Sequence, residues 1–169
     1  MALKTSRQHA LRLGLTNYLE AQCRLKDSNL PADFNWDEPS DAITPDCSPR
    51  GFVELRRLEG HPEASSRDLP TIQTIRLRFA IAAATVPETQ KLLEDWLETI
   101  ATGNERSSNG VPIMQAVRRQ GISGNYAGID IRQGFAGATL EQANISIDAN
   151  QDGGAIGYLI MDYSFYDRG

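Results

Sequence analysis

The residues best spaced for chemistry are Asp148, Asn150 and Asp152, followed by Gly153. Side-chain oxygens at alternate positions before a glycine open a calcium loop, because the glycine permits the sharp turn that converges them. The twelfth position of that loop needs a bidentate Glu and is Leu159. The flanks also alternate like strands rather than helices. A hairpin turn rich in Asn, Asp and Gly accounts for the same residues and is the better reading. Gly121-Ile122-Ser123-Gly124-Asn125 approaches a nucleophile elbow but lacks its last glycine. The two histidines, His9 and His61, lie at a helix start and in a Gly-His-Pro turn, so no base is placed for Ser123. Asp130, Asp148 and Asp162 are candidate paired carboxylates, but no local spacing joins them. Neither glycine-rich phosphate loop occurs. Cys23 and Cys47 form neither a zinc spacing nor a disulfide framework. Asn144-Ile145-Ser146 is a formal glycosylation sequon, and it has no meaning without a secretory signal. The chain therefore reads as a non-enzyme with no cofactor and no metal, and an interaction or structural role is expected.

The elements that position these residues follow from periodicity. Thr5 to Leu25 reads as a helix, opened by a Thr5/Gln8 capping box and carrying Ala10, Leu11, Leu15, Tyr18, Leu19 and Cys23 at helical spacing. Residues 27 to 50 hold Pro31, Pro39, Pro45 and Pro49 among six acidic residues, which excludes a long regular element. Phe34 and Trp36 would pin this acidic loop to its own domain or dock it as an arm on a neighbour. Gly51 to Leu58 alternates and predicts a strand. Ile72 to Ala83 predicts a clearer one, with Ile75, Leu77, Phe79 and Ile81 on one face and Arg76 and Arg78 on the other, exposed or paired with acids.

Thr85-Val86-Pro87-Glu88 then opens a helix through a capping box. Its stripe of Leu92, Leu93, Trp96, Leu97 and Ile100 should pack on the Ile75–Ile81 face, with Trp96 in the core and Gly103-Asn104 ending the helix. Residues 104 to 110 read as a polar loop, and Pro112 to Arg119 as a short helix stopped by Gly121. Tyr126 to Phe135, Leu140 to Ile147 and Ala155 to Tyr166 read as strands. The last is apolar on both faces, which suits a central strand or one covered on both sides. The expected fold class is α+β: a mixed or antiparallel β-sheet with an N-terminal helix and a second amphipathic helix packed on one face, in a single domain over residues 1–169.

The 169 residues suit one core. The 40% apolar and 23% charged content is ordinary for a folded domain. A net charge of −5 is unsuited to holding nucleic acid by charge. No run is long and apolar enough to span a membrane, and the start has no secretory pattern, so a reducing cytoplasm is expected. Among the 17 basic residues, 14 are Arg, the cation enriched at protein interfaces, although coding bias produces the same excess.

The order of elements resembles the tail terminator (tail-completion) proteins of long-tailed bacteriophages. The likeness runs from residue 72 onward and includes the first helix. It is carried by RLRFAIAAATVPETQKLLEDWLETI, from Arg76 to Ile100, and by the aromatic final strand with Tyr163 and Tyr166. The loop at 27–50 and the strands around 126–147 depart from the compact family form, and neck and tail-tube proteins share related architecture. The resemblance implies a self-assembled ring, a hexamer in the family's common form. Such a ring caps the tail tube, ends elongation and presents a surface to the neck or head-completion protein. Its expected place is the tail or neck of the virion, after assembly in the host cytoplasm. An acidic lumen would let DNA pass without specific binding. The alternatives are another virion component or a small α/β ligand-binding protein or enzyme. The expected interface residues are Phe34 and Trp36 as aromatic anchors, Arg106 in the 104–110 loop, and Arg118 and Arg119 at a helix end, where an acidic neighbour would pair with them.

Overall fold

The computed structural model describes residues 7–26, 50–57, 71–107, 110–149 and 154–167. Among the described residues three α-helices, α1 (Arg7–Lys26), α2 (Val86–Leu97) and α3 (Ile113–Gln120), accompany six strands. The strands are β1 (Arg50–Arg57), β2 (Thr71–Ala83), β3 (Ile122–Tyr126), β4 (Ile129–Gly134), β5 (Thr139–Ala149) and β6 (Ala155–Asp167). β1, β2, β6 and β5 form one sheet in that order, and every pair is antiparallel. β3 and β4 form a separate hairpin. The fold is therefore α+β with antiparallel sheets. The Thr5 cap and the 27–49 loop lie outside the described residues.

Alternation decides the layers. The odd-numbered residues Ile75, Leu77, Phe79 and Ile81 of β2 join Leu159, Met161, Tyr163 and Phe165 of β6 in the apolar core. Leu11, Leu15 and Leu19 of α1, Leu93 and Trp96 of α2, and Ile113 and Val117 of α3 fill the same core. The α2 stripe packs as its spacing predicts, with the Trp96 and Phe79 rings edge to face at a centroid distance of 5.4 Å. Thr85 caps α2 by accepting from the Glu88 N–H at 3.2 Å. The helix then widens into a π-turn over Glu98–Thr102, closed by the Gly103 N–H donating to the Glu98 carbonyl at 2.8 Å. β6 lies between β2 and β5, so its two apolar faces belong to a central strand.

One expectation is corrected. Tyr126 to Phe135 is not one strand. The chain reverses at Ala127 (φ 51°) and Gly128 (φ 83°), a two-residue turn with both central residues in the left-handed region. Alanine rarely accepts that conformation, so the turn carries none of the Asn-Gly signal that marks such hairpins. The hairpin packs on α1, and there Gly14 has its purpose: a Cβ would lie 2.8 Å from the Tyr126 ring.

Tyr163 is 3% exposed, and its hydroxyl has no hydrogen-bond partner among the described residues. Burial pushes its phenol above the ordinary tyrosine range. An unsatisfied buried hydroxyl is a cost, so Tyr163→Phe is expected to stabilise the chain by about 1 kcal/mol in urea titrations at pH 7. The raised folded-state value leaves wild-type stability intact below the unfolded tyrosine value of about 10 and erodes it as pH rises beyond. Tyr163→Phe removes that part of the alkaline loss, so its advantage should widen above pH ~10.

Candidate interaction surface

The even-numbered rows of β2 and β6 face away from the core. The large buried side chains that β2 and β6 give to the apolar core all belong to the odd rows, and Ala80 is the one small even-row residue of β2 and β6 that is also buried among the described residues. The opposite face carries Ile156, Tyr158 and Ile160, each half-buried, among polar and charged groups. Arg76 and Asp162 are cross-strand partners in the β2–β6 register. The Arg76 guanidinium donates to both carboxylate oxygens, at 2.8 and 3.1 Å. This fork matches carboxylate geometry and holds a pair whose side chains are only 29% and 17% exposed. One diagonal step away, the Arg78 guanidinium carbon lies 5.0 Å from the Tyr158 ring centroid, a cation–π contact. The expectation that these arginines are exposed or paired with acids is met at Arg76.

A hollow of ≈ 560 Å³ opens on this face beside β5. Thr74, Gln142, Asp162 and Ser164 line it, with Tyr166 at its rim, 56% exposed. A β-bulge between Leu140 and Gln142 borders it, and the extra residue, Glu141, accepts from the Ser164 hydroxyl at 2.5 Å. Of the carboxylates of the hollow, Asp162 gives both oxygens to Arg76, and Glu141 gives one to Ser164. The hollow can offer polar contacts, with Asp162 already held by the cross-strand Arg76.

The candidate chemistry is dispersed. Asp130 is exposed on the β3–β4 hairpin and pairs with Arg132 at 3.3 Å. Asp148 stands opposite Ile156, six residues along β6 from Asp162, or roughly 20 Å at strand rise. Ser123 accepts from the Gln133 N–H at 3.0 Å across the hairpin, a structural hydrogen bond. The last part of the Asp148–Gly153 motif lies outside the described residues, and the β5–β6 register closes at Ala149 and Ala155. Among the described residues, no cluster of three potential metal ligands occurs and no helix is long and apolar enough to cross a membrane.

The predicted interface residues fall in two places. Phe34 and Trp36 lie outside the described residues. Arg118 and Arg119 are exposed at the end of α3, and Arg106 is exposed in the loop that precedes it. The Arg106 N–H donates to the Asn104 side chain at 2.8 Å, within a loop of successive turns. Arg119 lies 3.9 Å from Glu105, and both are more than half exposed, so this pair adds little stability. The Arg118 carbonyl accepts from Gly137 at 2.8 Å and ties α3 to the β4–β5 turn. Sequence reasoning missed Glu141 and Ser164, which are polar residues on alternating strands and meet only through the bulge. No protein-family model matches the chain, and a search of curated proteins finds no match.

Proposed function

We propose that this chain is a structural virion protein resembling a phage tail terminator, one that forms a ring, caps the tail tube, ends its elongation and offers a surface to the neck or head. The observation that supports this best is the one-sided sheet: the described helices join the core on one face, while the other keeps half-buried apolar side chains among charges. A surface of that composition suits contact with other protein copies. Tail-tube protein and a neck or head-completion protein are the proposed partners, in the virion tail after assembly in the host cytoplasm. Six copies at −5 each would carry −30, which repels DNA from a lumen wall.

Addition of the purified protein to growing tail tubes tests this reading. Shorter tubes ending in closed rings by electron microscopy are the expected result. Unchanged tube growth with no binding to tube ends would overturn it. Open filaments of the protein alone would assign a tail-tube subunit instead, because a head-to-tail contact that fails to close propagates.

A further inference from the structure

We infer that the two edges of the four-stranded sheet pair with each other between copies, β5 of one chain adding to β1 of the next. This deepens the ring proposed above and rests on that reading only for the presence of a second copy. Among the described residues no strand pairs with the outer side of β1 or of β5. β5 is long, and from Gln142 to Ala149 it carries no proline, lysine or bulge, the usual devices that protect an edge. The two edges have opposite charge in the sequence. β1 holds Arg50, Arg56 and Arg57 with one acid, Glu54, whereas β5 holds Glu141 and Asp148 with no base.

The strand count fits a head-to-tail repeat. Four alternating antiparallel strands leave β1 and β5 running in opposite directions. A copy rotated about an axis along the strands therefore presents its β1 antiparallel to β5, with the helical face on the same side.

One register satisfies charge, face and backbone together. Arg50 opposite Asp148 places Arg56 opposite Gln142, the first residue beyond the bulge. It also places Val53 opposite Ile145 and Leu55 opposite Ala143. Val53 and Leu55 are in register with the core residues Leu77 and Ile75, and Ile145 and Ala143 with Leu159 and Met161. The apolar row thus continues across the junction. A slip by one residue would send it to the wrong face. The backbone agrees. Beyond the bulge, even residues pair with even residues throughout the sheet, so the unpaired N–H and C=O groups of β1 and β5 fall on residues of the same parity. The Arg50–Asp148 register joins residues of like parity. Pairing of β5 with its own copy has no such charge match, since both of its charges are negative.

Charge reversal tests the pairing. Light scattering across concentration should show wild-type association that weakens with salt. Arg50→Asp and Asp148→Arg should each weaken it at least about tenfold, because each sets like charges opposite. Mixing the two variants should restore association. The acid that replaces Arg50 in one variant then meets the base that replaces Asp148 in the other, and the native Arg50 and Asp148 meet at the alternate junctions. Matching melting temperatures control for folding. A second measurement avoids charge: Arg50→Cys/Asp148→Cys in a Cys47→Ser background should oxidise to a ladder of covalent multimers. Wild-type association that survives either reversal, or an oxidised sample without a ladder, would overturn the edge pairing and leave the ring itself standing. A wild-type chain that stays monomeric at every concentration would overturn the pairing too, and tube capping then judges the proposed function by itself.

Discussion

Gly157→Val is expected to cost the chain more than about 3 kcal/mol, read as the shift in its urea midpoint, and to leave much of it unfolded at 37 °C. Gly157 sits in the central strand β6 beneath α2. A Cβ built there lies 2.5 Å from the Thr89 methyl and 2.6 Å from a Leu93 methyl, both inside contact distance. The Thr89 methyl cannot turn aside, and the Leu93 methyl can shift only into packed core. Both are fully buried, and the Thr89 hydroxyl donates to the Thr85 carbonyl at 2.9 Å, which fixes its rotamer. Any side chain at 157 must therefore lift α2 from the sheet and loosen the packing of Leu93 and Trp96. Gly157→Ala, with one carbon, should cost about 1–3 kcal/mol. Thr89→Ser removes the nearest methyl and keeps the hydroxyl, so the Gly157→Ala/Thr89→Ser pair should be less destabilised than the two single changes summed. Additive losses would show that the close approach of α2 to β6 is not what Gly157 serves.

Trp96→Ala is expected to cost about 3–5 kcal/mol, measured by circular dichroism in urea. The indole is fully buried at the centre of the α2 stripe and meets Phe79 edge to face at an interplanar angle of 65°. Its removal takes away the largest apolar surface on the helix and leaves a cavity between α2 and β2 that the sheet cannot collapse to fill. Trp96→Phe keeps an aromatic edge and should recover more than half of the loss. Equal losses for Ala and Phe would mean that the site needs the indole in particular rather than packed volume. Both variants also report on assembly. Variants that keep the sheet should keep the proposed edge pairing, because α2 packs on one face of β2, β6 and β5 and takes up none of the outward backbone groups of β5.

The local elements were legible because their signals are short-range. Alternation over Ile75–Ile81 sets the buried face of β2. Thr85 with Pro87 opens α2, and the spacing of Leu93, Trp96 and Ile100 aims that helix at the same face. Apolar residues on both faces of 155–166 pointed to a central strand or one covered on both sides, and the strand order makes β6 central. Each of these depends on a residue and its neighbours within a few positions, where steric and hydrogen-bonding preferences are strong.

Pairing was decided by tertiary structure alone. Arg76 and Asp162 are 86 residues apart, and nothing in either segment names the other. The reversal at Ala127-Gly128 uses an alanine in a conformation that sequence patterns assign to asparagine or glycine, so the hairpin was hidden. The Glu141 bulge, the hollow beside it and the tight approach at Gly157 arise from one strand or helix meeting another at a particular register. The same is true of the edges. That β1 and β5 are basic and acidic is written in the sequence, but that they flank one sheet and run in opposite directions is known only once the strands are ordered. Register and strand order depend on contacts whose free energy appears only when distant segments meet, and a linear pattern carries no record of those meetings.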